Sequence, residues 1–230
     1  MTDDAGERGR TRPLSAGYRE GVRAALPLAV AVAGFGITFG VLARQAELGP
    51  LASVVMSGTT FAGSSQFAAV SVLETGGAVA SAVFAAILLN ARYLPIGISV
   101  APVLGGSVLK RLLTAQLVVD ESWAIAHLGG GRFDRGRLIG AGLVLYVGWV
   151  TSTAVGALGA ELFGDPATLG LDAAFPALFL ALLWPQVRDR RSGAAAVLGA
   201  AIALALTPIS SPGVPIIAAA AACLVGVRGR

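Results

Sequence analysis

Charged residues stay out of several long apolar runs in this chain, and that segregation leaves few folds open to it. Ala24 to Ala43 is 20 residues without a charge, Leu138 to Ala160 is 23, and Ser192 to Val227 is 36. A helix rises about 1.5 Å per residue, so about 20 apolar residues cross the roughly 30 Å hydrocarbon core of a bilayer. With 55% hydrophobic and 13% charged residues and a mean hydropathy of +0.77, the chain is too apolar for an ordinary soluble domain. It is predicted to be an all-α polytopic membrane protein.

The net charge of +4 comes from 17 basic and 13 acidic residues. The basic ones gather at the margins of the apolar runs, a pattern that sets membrane orientation rather than nucleic-acid binding. Met1 to Gly21 is polar and carries Arg8, Arg10, Arg12 and Arg19. It lacks the apolar core and small-residue cleavage pattern of a secretory signal. Residues 1–21 therefore read as a cytoplasmic segment and 22–227 as a single transmembrane domain. Cys223 is the one cysteine, so it forms no intramolecular disulfide and reads as a packing residue.

Between the clear spans the pattern is interrupted. Leu48 to Leu73 has no charge, but Gly58, Gly63, Ser64, Ser65 and Gln66 occupy its middle; it reads either as one long span or as two pieces joined near Gly63. Ala78 to Asn90 leads into Ala91-Arg92-Tyr93-Leu94-Pro95, which predicts a broken helix. Lys110-Arg111 opens a region in which Asp120-Glu121 divides two short apolar pieces. Leu171 to Val187, containing Pro176, reads as a further helix, and Ser192 to Val227 as two spans folded about Thr207-Pro208 and Pro212-Gly213.

The positive-inside rule puts the amino terminus, Arg132 to Arg137, Arg188 to Arg191 and the carboxy-terminal arginines in the cytoplasm. Lys110-Arg111 claims the same side, yet only about one span separates it from Arg132. Either one basic pair lies outside, or one of the two polar-centred segments enters and returns without crossing. The count is seven or eight helical segments with discontinuous or re-entrant members, and the length has room for an inverted repeat.

Three polar groups stand out in this apolar setting. In Phe61-Ala62-Gly63-Ser64-Ser65-Gln66-Phe67, helix ends that meet would offer N–H groups to a carboxylate and carbonyls to an ammonium, which suits a zwitterionic amino acid. Interhelical packing, with Ser and Gln satisfying one another, is the competing reading. Asn90 and Arg92 form the second group: Arg92 could hold a substrate carboxylate, pair with Asp120 or Glu121, or snorkel to a headgroup. Asp120 and Glu121 form the third, in a coupling or an ion-pair role; adjacent on a helix, they point about 100° apart and do not make a joint carboxylate site. His127 reads as structural, Trp149 and Trp184 as packing or interface residues, and Gln186 as a helix cap or a cavity-lining residue.

No spacing supports a metal site, a phosphate loop or a dinucleotide fingerprint. Ser64 and Ser65 lack a histidine base, so an intramembrane hydrolase is the weakest class, and no cofactor is expected.

These ordered motifs, together with Asn90-Ala91-Arg92-Tyr93-Leu94 and Phe175-Pro176-Ala177-Leu178-Phe179, resemble the AzlC-like large subunits of branched-chain amino acid export permeases. The resemblance runs from about Gly17 to Val225. It implies a multi-span permease of the cytoplasmic membrane that exports branched-chain or related amino acids with a small AzlD-type membrane partner. On that reading Ser64, Ser65, Gln66, Asn90 and Arg92 face the substrate, and Asp120 or Glu121 couples to protons or forms an ion pair. The alternative is a structural or assembly subunit whose polar residues only hold helices together.

Overall fold

The computed structural model describes residues 14–163, 180, 183–184, 187, 189–210 and 214–222. The expected turn at Gly164-Asp165-Pro166, most of the helix over 171–187 with Phe175 to Phe179 and Gln186, and Cys223 lie outside them.

The described chain is largely helical. Helix α1 (Leu14–Gln45) is followed by α2 (Pro50–Thr60), α3 (Gly63–Glu74), α4 (Val79–Asn90), α5 (Tyr93–Val100), α6 (Val108–Ala115) and α7 (Asp120–Ala126). A hairpin of β1 (His127–Gly129) and β2 (Arg132–Phe133) precedes α8 (Arg135–Leu158), the short α9 (Ala160–Phe163), α10 (Arg190–Leu206) and α11 (Val214–Ala219). Only α1 and α8, among the described residues, are by themselves long and apolar enough to cross a membrane. The α4 and α5 segments become a third span if taken together, and the helical path bends by 44° at their break.

Both polar-centred segments are discontinuous. Leu48 to Leu73 resolves into two pieces, α2 and α3, rather than one span. The region after Lys110 breaks between Ala115 and Asp120 and ends as a helix at Ala126. Gly129, Gly130 and Gly131 all take positive φ there, a conformation that favours a tight turn over continued helix.

The chain divides into two compact units, and α1 and α8 each contribute to both. The first unit comprises Met1–Val32 and Pro95–Gly148. A side chain at Gly21 would strike the Arg137 backbone, and one at Gly140 would strike Tyr18 O, so these glycines let α1 and α8 touch at backbone distance. That contact explains why α1 includes Leu14 to Arg23, ahead of the apolar run. Its polar first turns are held by α8, with Arg137 Nε donating to Glu20 Oε2 at 2.9 Å. Asp134 caps α8 by accepting the Arg137 N–H at 2.8 Å. The core here is Val100, Leu104, Ala126 and Leu138, with Trp123 and Phe133 against it.

The second unit comprises Ala33–Leu94 and Trp149–Arg230. The same close approach recurs within it, where a side chain at Gly40 would meet Thr153 O and one at Gly156 would meet Ile37 O. Helices α3 and α4 pack through Ala69, Val72, Ala82 and Ala85, with Ile216 of α11 against them.

Candidate functional site

The second unit is interrupted where α2 gives way to α3. Phe61 adopts the left-handed conformation (φ 41°, ψ 50°), and its N–H closes the last turn on Ser57 O at 3.1 Å. A non-glycine residue held there costs on the order of 1 to 3 kcal/mol, so the surroundings must over-determine it. They do: Phe61 and Ala62 are both buried, and the chain restarts as helix at Gly63.

Gln66 ties this break together and has no exposed surface. Its Oε1 accepts the Trp149 indole N–H at 3.0 Å and the Ala62 backbone N–H at 3.3 Å. Its Nε2 donates to Ser57 Oγ at 3.0 Å, and Ser57 Oγ lies 2.9 Å from Thr153 Oγ1. Side chains of α2, α3 and α8 thus share one buried chain of hydrogen bonds. Leaving any such group unpaired in an apolar interior costs about 1 to 3 kcal/mol. Trp149 also stacks on Phe39 at 5.9 Å and meets Phe67 edge-on at 6.2 Å. A Cβ at Gly63 would come within 3.1 Å of the indole, so the small residue at that point makes room for the ring.

The other expected residues arrange themselves around this knot. Ser65 is fully buried and donates to Ala62 O at 2.8 Å. Ser64 faces the α4–α5 break, where it accepts a 2.8 Å hydrogen bond from Arg92 Nη2. The Arg92 guanidinium also sits 5.2 Å from the centre of the Tyr93 ring. Asn90 ends α4, and its Oδ1 is buried without a hydrogen-bond partner.

The leading N–H groups of α3 have no side-chain cap, and the Arg92 guanidinium reaches Ser64 in the same turn. Both are donors suited to an anionic group. The Asn90 amide oxygen is an acceptor suited to a cation.

Asp120 and Glu121 lie in the first unit, as the first two residues of α7. Acids in that position complement the helix dipole. Ser122 accepts the Val119 N–H at 2.9 Å and lies 2.8 Å from Leu117 O, which closes the turn before them. Among the described residues no group of three His, Cys, Asp or Glu side chains could hold a metal ion.

Sequence reasoning singled out Gln66 but missed its partners Ser57 and Thr153 and gave Trp149 only a packing role. A hydroxyl inside an apolar helix was the available signal for Ser57, Ser152 and Thr153, all buried here.

A match to the AzlC protein family covers residues 27–163. An uncharacterized membrane protein of Archaeoglobus fulgidus is 34% identical over 90% of this chain and 93% of its own length. The inner membrane protein YgaZ of Escherichia coli is 28% identical over 86% of this chain and 85% of its own. The branched-chain amino acid transport protein AzlC of Bacillus subtilis is 28% identical over 80% and 74%. No solved structure gives a significant match.

Proposed function

The chain belongs to the AzlC family, and from that premise we propose that it is a secondary transporter exporting branched-chain or related small neutral amino acids across the cytoplasmic membrane. Membership makes it a membrane transport protein and not an enzyme. The substrate class is taken from the name of the Bacillus subtilis relative. The observation that carries the reading is the 2.8 Å contact of Arg92 with Ser64 beside the uncapped first turn of α3. A carboxylate would be held between that turn and Arg92, with Ser64, Ser65 and Gln66 shaping the break and Asn90 Oδ1 accepting from the ammonium. One methylene in an apolar pocket is worth roughly 1 to 3 kcal/mol, so discrimination among aliphatic side chains would be modest.

Asp120 and Glu121 are proposed as the proton-coupling or charge-balancing pair. Seven or eight helical segments in an inverted repeat remain the proposed architecture, and a shift of 57 residues supports it. That shift relates Gly63 to Asp120, the first residues of α3 and α7. It also relates Ser57 to Thr114, Ser65 to Ser122 and Ala69 to Ala126, all buried. Ser65 and Ser122 each lie within hydrogen-bonding distance of the carbonyl of the residue just before their helix, 2.8 Å from Ala62 O and 3.1 Å from Val119 O. A repeat with an odd number of crossings makes its second copy inverted, as alternating access uses.

AzlC-family proteins pair with small AzlD-like subunits in bacteria, and we propose the same of this chain, with its N-terminus in the cytoplasm. The test is counterflow of labelled leucine, isoleucine and valine into vesicles holding this chain, the small subunit, or both. Substrate-dependent flux that requires this chain is expected. The Gln66 amide, bonded to Trp149, Ala62 and Ser57, favours the rival reading of a structural subunit, and flux undiminished when this chain is omitted would establish that rival.

A further inference from the structure

Helix α6 has a composition that the transport reading does not use. Val108, Leu109, Leu112 and Leu113 are 73, 66, 63 and 63% exposed, while Lys110 and Arg111 are exposed as well and Thr114 alone of the helix is buried. At about 100° per residue the four aliphatic side chains fall in one arc of roughly 140°, with Lys110, Thr114 and Arg111 on the remaining side. The aliphatic arc therefore points away from the unit that Thr114 packs on. Eight residues make a helix only about 12 Å long, too short to cross a bilayer core of roughly 30 Å.

A third cation lies close by. The loop into α6 passes Arg135, whose Nη1 is 3.7 Å from the position a Cβ would take on Gly105. The Nε of Arg135 is buried without a hydrogen-bond partner. Lys110 and Arg111 therefore flank the aliphatic arc on the helix itself, and Arg135 stands beside the loop that leads into it. Aliphatic groups that face outward need acyl chains, and cations along their edge need a phosphodiester. One molecule, an anionic phospholipid, supplies both.

We propose that α6 lies in the membrane interface and seats anionic phospholipid, its aliphatic arc among the acyl chains and Lys110, Arg111 and Arg135 on the headgroup. The proposal stands apart from the transported substrate. It also accounts for how Lys110-Arg111 and the Arg132 to Arg137 stretch share one side of the membrane, since α6 then does not cross.

The test uses the full chain. Native mass spectrometry of the solubilised protein, titrated with phosphatidylglycerol, should show the Lys110→Gln/Arg111→Gln double variant binding on the order of tenfold more weakly. The charge-conserving Lys110→Arg/Arg111→Lys variant should bind as the original does. Equal retention by the neutral variant overturns the proposal, and so does displacement of the lipid by inorganic phosphate at matching concentration, which would mark a free-anion site.

Depth is read separately, with Cys223→Ala as background and an environment-sensitive label at Leu109→Cys or Leu112→Cys. Quenching by acyl-chain bromines in phosphatidylcholine–phosphatidylglycerol vesicles is expected. Quenching by aqueous iodide instead, or shielding that appears only when a small membrane subunit is co-expressed, would assign the arc to water or to a protein and overturn the lipid reading.

Discussion

The Trp149 indole N–H and the Gln66 side-chain oxygen, 83 residues apart in sequence, meet at 3.0 Å in a fully buried contact. The same oxygen accepts the Ala62 N–H, so one amide serves both the broken backbone and a neighbouring helix. Trp149→Phe keeps the ring packing on Phe39 and Phe67 and removes one donor; a loss of about 1 kcal/mol is expected. Gln66→Leu leaves the Trp149, Ala62 and Ser57 groups short of a partner and should cost more, about 2 to 3 kcal/mol. Unfolding in mixed micelles orders the two variants, and a Gln66→Leu protein as stable as the original would refute the role given to this amide.

Arg92 has a different environment, anchored on Ser64 and stacked by Tyr93. Arg92→Ala should lower transport per inserted molecule at least tenfold with insertion unchanged. Arg92→Lys should recover part of it, because lysine keeps the charge but not the forked geometry. Flux equal to the original in Arg92→Ala, normalised to protein in the vesicle, removes Arg92 from the site.

Proton coupling through Asp120 makes a separate prediction. Asp120→Asn should flatten the dependence of transport on external pH, and Glu121→Gln should leave it in place if the two acids divide their roles. An Asp120→Asn profile that superimposes on the original rules out coupling at this position.

The glycines give a contrast that separates close packing from composition. Gly140→Ala puts a methyl against Tyr18 O, and a loss of about 1 to 3 kcal/mol is expected from the forced separation of α1 and α8. Gly34, also in α1, has nothing among the described residues within 4 Å of its would-be Cβ. Gly34→Ala should be neutral or stabilising by up to about 1 kcal/mol, since alanine is the better helix former. Thermal melting of both variants in one detergent decides it.

Asp189 caps α10 by accepting the Ser192 N–H at 2.7 Å. The hydrogen bond from the Ser192 backbone, more than any other influence, holds its carboxyl below the ordinary value of 3.8. A carboxyl depressed by folding adds stability above its unfolded pKa and loses it as pH falls through the lower folded pKa. Protection of the first α10 amides from hydrogen exchange should therefore decline only below about pH 3.8. In Asp189→Ala protection should be weak and insensitive to acid over the same range.

That a break near Gly63 was one of two options could be read from the chain, because Gly-Ser-Ser-Gln is costly inside an apolar helix. The residue that makes the turn could not, since Phe61 carries no signal for a left-handed backbone and takes it from packing. The 31 glycines announced close helix contacts, but which pairs meet depends on how α1 and α8 cross, as Gly140 on Tyr18 and Gly156 on Ile37 show. Hydropathy located the apolar part of α1 and passed over its first turns, because what holds Tyr18 and Glu20 in a helix is α8, more than 100 residues away. Ser64 and Arg92 were each legible alone; their hydrogen bond follows from two helix breaks meeting within one unit.

The knot at Gln66 also sets where this molecule can bend. A joint held by four buried hydrogen bonds resists reopening, whereas the end of α4, where the Asn90 amide oxygen is idle, has bonds left to gain. Cargo that supplied those bonds would stiffen the second joint and leave the first untouched, making one a fixed fulcrum and the other the part that answers to load.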